Sequence, residues 1–303
     1  MTTRTVSRVR SPMVYRIQNR VSELLVHALL LAIALFCILP MMLILSASLS
    51  EEGQIATIGY GLLPRGFTLE AYEYIFKVPG QILRAYGVTL FVTAVGSFLS
   101  LFVMALLGYV LSRPDFPYAR HLAFYVFVTM LFSGGLVPWY IWLTQGLRLT
   151  DKVWALILPY LIVPWYVILL RTYFAGVAQE IIDSATIDGA GEWRVFFQIV
   201  LPLSRPGLAT VGLFLILMYW NDWWLALLFI NDRNLQPLQY MLYNILNNAR
   251  AIQANVAQSA GAVLPLNTVR MAMAVLATGP GALAFLLLQP YFIRGLMAGA
   301  IKE

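Results

Sequence analysis

Six stretches of this chain run for roughly twenty residues with almost no charge, and that pattern leaves few folds open to it. Leu24 to Ser50, Ala85 to Ser112, His121 to Leu147, Val153 to Leu170 and Met271 to Ile293 contain no Asp, Glu, Lys or Arg. Pro206 to Ile230 contains only Asp222. An α-helix of about 20 apolar residues spans the hydrocarbon core of a bilayer. A water-soluble domain carries about 25% charged residues; this chain carries 11% and is 60% hydrophobic. The expectation is an all-α membrane protein with six transmembrane helices. Prolines 40, 159 and 164 fall inside spans and read as tolerated kinks, because neighbouring helices re-satisfy the freed carbonyls. Ser133-Gly134-Gly135 and Pro138 interrupt the third span.

Charge orients the spans. Five of the twenty basic residues lie in the first twenty positions, and Lys and Arg favour the cytoplasmic side. Residues 1–22 therefore read as a retained cytoplasmic tail ahead of a six-span domain at 23–303. With an even number of spans, both termini are cytoplasmic. Basic residues then divide 12 inside to 8 outside. Segments of about 51–84 and 231–270 become external, and about 174–202 becomes a cytoplasmic loop. The net charge of +6 points to this asymmetry rather than to nucleic acid, since no basic cluster is interleaved with stacking aromatics. Cys37 is the one cysteine, so no intrachain disulfide and no metal cluster is expected. His27 and His121 read as helix-end residues.

The loop carries the most specific pattern. Asp183-Ser184-Ala185 is followed by Gly189, and ten residues later by Ile199-x-Leu201-Pro202. Ile181, Ile182, Ala185 and Ile187 give a short helix an apolar side, and Asp183 and Asp188 offer carboxylates to a partner cation. Gly189 can take positive φ and end that helix. Trp193, Val195, Phe196 and Ile199 start a second stretch expected to pack beneath the spans. Pro202 and Pro206 set the angle of the next helix.

This spacing resembles the Glu-Ala-Ala, three residues, Gly, nine residues, Ile-x-Leu-Pro loop of bacterial ABC importer permeases. Asp183 stands where that family has Glu, and Ser184 where it has the first Ala. Met130 to Pro138, Trp220-Asn221-Asp222-Trp223-Trp224, Leu235 to Gln239 and Gln289 to Lys302 are similar to the oligosaccharide and polysaccharide branch. The smaller permease of maltose importers looks like a more distant relative, and permeases of bacterial alginate importers look nearer. The resemblance implies the type I ABC importer permease fold, half of a translocation pathway, and alternating access. It implies a coupling loop of Asp183, Ser184, Ala185, Asp188, Gly189, Ile199, Leu201 and Pro202. It also implies a second permease, two ATPase subunits that hold ATP and Mg, an external solute-binding protein and a saccharide cargo. No phosphate-binding Gly-x-x-x-x-Gly-Lys-Ser/Thr loop is present in this chain, so ATP hydrolysis falls to a partner.

Tyr219, Trp220, Asn221, Asp222 and Trp224 interrupt the fifth span and are candidates for the substrate pathway or its gate. An acid near a span is costly and faces protein or water. Aromatic faces and amides suit sugar rings, whereas Asp222 suits a brace or gate better than a contact with a polyuronate. Asn231, Arg233 and Asn234 would stand at the external mouth. A secondary transporter is the alternative, but span carboxylates for a coupling ion are nearly absent and the chain is short for two repeats. A membrane-embedded enzyme has still less support, with no Ser/His/Asp group, His cluster or paired carboxylates.

Overall fold

The computed structural model describes residues 12–76, 79–256 and 266–300. The tail residues 1–11, residues 257–265 of the second predicted external segment, and residues 301–303 lie outside them. Two compact units divide the chain: one holds residues up to Tyr74 plus Val263–Val275, the other Ile75–Ala262 and Leu276 onward.

In the first unit α1 (Pro12–Ser48) carries the first span, with Pro40 inside the helix. Residues 23–42 are all exposed on this chain. So long an apolar surface needs lipid or a partner helix against it. After α1 the chain turns back through α2 (Glu52–Ile58) and α3 (Glu70–Ile75). Ser50 pairs with Phe67 in an isolated bridge, and Ser48 Oγ shares a 2.9 Å hydrogen bond with Tyr72 Oη. Glu52 is buried but satisfied: it accepts from the amides of Asn267 (3.1 Å) and Thr268 (2.9 Å), and from both their side chains. A carboxylate at the start of the last helix fits its dipole.

The second unit is built on α4 (Pro79–Ser112), a 34-residue helix opened by a proline where no amide bond is lost. Its inner stripe is small and polar: Thr89, Thr93, Gly96, Ser97, Ser100, Ala105 and Gly108 are buried. Small residues let helix backbones approach closely in lipid. A Cβ on Gly96 would come within 2.8 Å of the Tyr219 ring, and one on Gly108 within 3.1 Å of Leu170.

The third span is α5 (Ala119–Leu131) and α6 (Leu136–Ile141), the latter continued by a π turn at Trp142–Gly146. The two halves are bent by 112° at the glycines. In the fourth span the prolines do more than kink a helix. Pro159 lies in the second of two 3-10 turns (Val153–Leu156 and Leu158–Tyr160), and Pro164 begins α7 (Pro164–Ala175), 52° away. A proline cannot donate and disfavours helix in the residue before it, so two of them five apart replace the expected continuous helix.

Then come α8 (Gln179–Ile187), α9 (Glu192–Val195), a π turn at Phe196–Val200 and α10 (Leu201–Leu203). The fifth span is α11 (Arg205–Trp220) and α12 (Trp224–Phe229), separated at Asn221–Trp223. The predicted surface helix is α13 (Leu238–Val256), and α14 (Leu266–Ala300) contains the sixth span. Six charge-poor windows thus become two uninterrupted helices, three broken ones and α14. Val211, Leu215, Val167, Leu170 and Met104 fill the centre where α4, α7 and α11 meet.

Candidate coupling loop and pathway site

α8 stands out from the packed helices. Gly189 adopts φ 82, and the Ala190 amide reaches back to the Ala185 carbonyl at 2.9 Å. This is the glycine cap the spacing predicts. Ile182 faces inward, whereas Asp183, Ser184, Ile187, Asp188 and Gly189 are exposed. Ile187 is 86% exposed. Ala185 is half-buried. Asp183 Oδ1 accepts from Gln179 Nε2 at 2.9 Å, along one helix face. A Cβ on Gly189 would meet nothing within 4 Å.

The following stretch packs as expected in part. Val195, Phe196 and Val200 are buried; Ile199, Leu201 and Pro202 are half-buried. Trp193 is exposed instead, its ring stacked on Phe197 at 5.9 Å. Residues Glu192–Leu203 meet α11 at 81°. Their attachment to α4 was not legible from the motif. Tyr109 Oη donates to Glu192 Oε2 at 2.5 Å, and Arg113 Nη2 lies 3.9 Å from Glu192 Oε1 and 3.5 Å from Asp115 Oδ2. These contacts tie the start of the 192–203 stretch to the end of the second span.

The break in the fifth span is organised by Asp222. Its Oδ2 accepts from the Leu225 amide at 3.2 Å, capping α12, and its Oδ1 accepts from Tyr160 Oη at 2.9 Å. Tyr219 is only 3% exposed; its Oη donates to the Ile157 carbonyl and shares a bond with Ser100 Oγ. Trp220 is buried as well, and its Nε1 donates to the Ala277 carbonyl at 3.0 Å. These two side chains hold the helices together. Asn221 and Trp224 are exposed. Trp223, also exposed, stacks on Tyr243 at 4.6 Å.

A cavity of about 660 Å³ joins this break to the one in the third span. Ser133, Gly134, Gly135 and Leu136 line it at the third-span break, together with Trp139, Trp142, Tyr160, Trp224 and Leu225. Trp139, Trp142 and Tyr160 escape sequence reasoning because each sits in an unremarkable apolar run.

Beyond it, Asp151 clasps two loops. Its Oδ1 accepts from the amides of Asn231 (2.5 Å) and Asp232 (2.9 Å). These amide bonds, Asp232's foremost, hold the Asp151 carboxyl below the usual range. Asn234 Oδ1 accepts from Arg84, and the Asn234 amide donates to Asp232. Asn231 and Asn234 are thus engaged in loop structure.

The charge-poor helices, two of them unbroken and others bent in pairs, are long and apolar enough to cross a membrane several times. No protein-family model matches the chain, but individual proteins do. It is 36% identical, over 94% of its length and 99% of the relative's, to the polygalacturonan/rhamnogalacturonan transport system permease protein YtcP of Bacillus subtilis (strain 168). It is 38% identical to Protein LplC of the same organism, over 88% of this chain and 89% of that one. It shares its fold with a bacterial ABC transporter involved in the import of the acidic polysaccharide alginate (TM-score 0.78, 24% identity, 96% of this chain and 100% of the other). The chain belongs to the permease subunits of ABC importers. It is an integral protein of the bacterial inner (cytoplasmic) membrane, has no ATPase activity of its own, and works with a partner ATPase, another permease and a solute-binding protein.

Proposed function

We infer that this permease forms half of the pathway for an oligo- or polysaccharide, and that its cargo is acidic. YtcP and the alginate transporter, named for acidic polymers, support the cargo class. Two ATPase subunits, with ATP and Mg bound in them, close on each cycle. One grips α8, and the stretch from Trp193 to Pro202 passes the movement to α11 and, through Glu192, to α4. The cavity then alternates between the two faces of the membrane. Both termini and the 174–202 loop are cytoplasmic in this reading.

The observation that carries it is the exposure of Ile187 on a capped helix whose outer side is exposed. Ile187 does not stand alone there: Ile181 and Trp193, close in sequence, are exposed as well, and an exposed apolar group of this kind on a polar loop suits a protein partner. Ile187→Asp leaves the fold alone, because the side chain touches little of its own chain. It should weaken ATPase capture and abolish ATP-driven uptake of oligogalacturonate or alginate oligomers in proteoliposomes holding the full complex and binding protein. Wild-type capture and uptake in that variant would defeat the reading.

A further inference from the structure

The third span breaks where a membrane helix tolerates it least. Residues 132–135 leave the helix in the middle of the charge-poor window, with Gly135 at φ 86. Lipid cannot satisfy the amides and carbonyls so freed. Such backbone survives in a bilayer only when buried in protein or lining a water-filled cavity. Here it is exposed on the chain and walls the cavity of about 660 Å³. The other lining residues are the aromatic Trp139, Trp142, Tyr160 and Trp224, with Leu225.

Those rings are held from behind. Trp142 is 61% exposed, yet its indole lies on Gly146, where a Cβ would come within 2.8 Å of it. Trp224 begins the helix that Asp222 caps, and Tyr160 is bonded to the same carboxylate. Asp222 thereby positions two of the lining rings without lining the cavity itself. Preorganised faces lose little freedom when a ligand arrives.

We propose that this cavity is a saccharide subsite that grips sugar rings by their faces and does not read their charge. It rests on the inference that the cargo is a saccharide, and adds where and how this chain holds it. The volume lies within the range of small-ligand pockets, about 300–1,000 Å³. The C–H face of a pyranose is apolar and matches the electron-rich face of an indole. The Gly135 amide is already given to Ser133 Oγ (3.2 Å); the hydroxyls at the ring edge meet the remaining polar groups of 133–135. No Lys, Arg, Asp or Glu is among the described lining residues, so a carboxylate on the sugar finds no counter-ion here. Selection for acidic cargo falls to other parts of the complex. Face stacking also suits a polymer that must move on, since every ring offers the same surface, as stacking platforms do for single-stranded nucleic acids.

The test uses the purified permease–ATPase complex without binding protein, and two probes: trigalacturonate and its fully methyl-esterified, uncharged form. Saturation-transfer NMR should show contact with ring protons of both, with Kd values within about threefold of each other. Trp142→Leu and Trp224→Leu should weaken both probes about tenfold. Trp142→Phe should restore most of the loss, and Gly146→Ala, which pushes the indole from its seat, should reproduce it. Binding of the acid alone, or Leu variants that bind like wild type, would overturn the proposal. So would absence of binding by either probe while the full complex imports trigalacturonate, and that result leaves the cargo inference standing. A full complex that imports no saccharide would defeat the cargo inference and this subsite with it.

Discussion

Tyr160 and Asp222 lie 62 residues apart and are joined by a 2.9 Å hydrogen bond between the phenol and Oδ1. Since Oδ2 of the same carboxylate caps α12, one side chain ties the fourth span to the second half of the fifth. Asp222→Ala removes both bonds and should cost about 1–3 kcal/mol. Asp222→Asn keeps one acceptor oxygen and should cost less, as should Tyr160→Phe. Melting of the purified complex should rank wild type above these two and Asp222→Ala below them. Uptake rate should fall in the same order, with the affinity of the separate binding protein unchanged. Equal melting and uptake in Asp222→Ala would remove Asp222 from the mechanism.

That relationship also marks where sequence reading stopped. Span positions were legible because the absence of charge over roughly twenty residues is a one-dimensional signal. The Gly189 cap was legible because helix ends are local. The partner of the brace was not: Asp222 read as a brace or gate, but nothing near Tyr160 distinguishes it from other interfacial tyrosines. Trp220 read as a candidate for the substrate pathway or its gate; the bond from its indole N–H to the Ala277 carbonyl could not be read from the sequence. Prolines 159 and 164 read as kinks because each is tolerable singly; their proximity makes the break.

Asp151 should make the loop clasp acid-labile. Amide bonds from Asp232 and Asn231 lower its folded-state pKa below that of the unfolded chain. Its contribution is therefore fully present above the unfolded carboxylate value, about 3.9, and is lost as pH falls through the folded value. Asp151 has φ 54, a conformation Asn shares readily, so Asp151→Asn isolates the charge. Hydrogen exchange at the Asn231 and Asp232 amides, compared at pH 5, should be faster in the variant. Identical protection would show that the carboxylate charge contributes nothing there.

Topology is open to a direct check. Cys37 is exposed and must be replaced first. Single cysteines at Ser184, on α8, and at Asn247, on α13, should then react with an impermeant thiol reagent from opposite sides of the membrane. Reaction of both from outside in sealed cells would overturn the six-span orientation.

The coupling loop gives the firmest prediction, and the structure sharpens what each variant means. Gly189 is left-handed, a conformation that costs most residues about 1–2 kcal/mol but that Asp and Asn visit. Its Cβ position is open within this chain. Gly189→Asp should therefore fold and insert, and any damage must fall on whatever docks against the exposed surface. Asp183→Lys reverses a charge whose only bond in the chain among the described residues is to Gln179. Exposed charge pairs contribute about 0–1 kcal/mol, so this variant should reduce ATPase capture modestly. Gly189→Asp, placing bulk and charge against the partner's surface, should reduce capture further and uncouple hydrolysis from uptake. Gly189→Val adds backbone strain and should also lower the melting temperature, which Gly189→Asp should not. Capture in detergent, melting, and substrate-stimulated hydrolysis in reconstituted membranes separate these effects. If Gly189→Asp captures the ATPase and couples hydrolysis to uptake at the wild-type rate, α8 is not the dock.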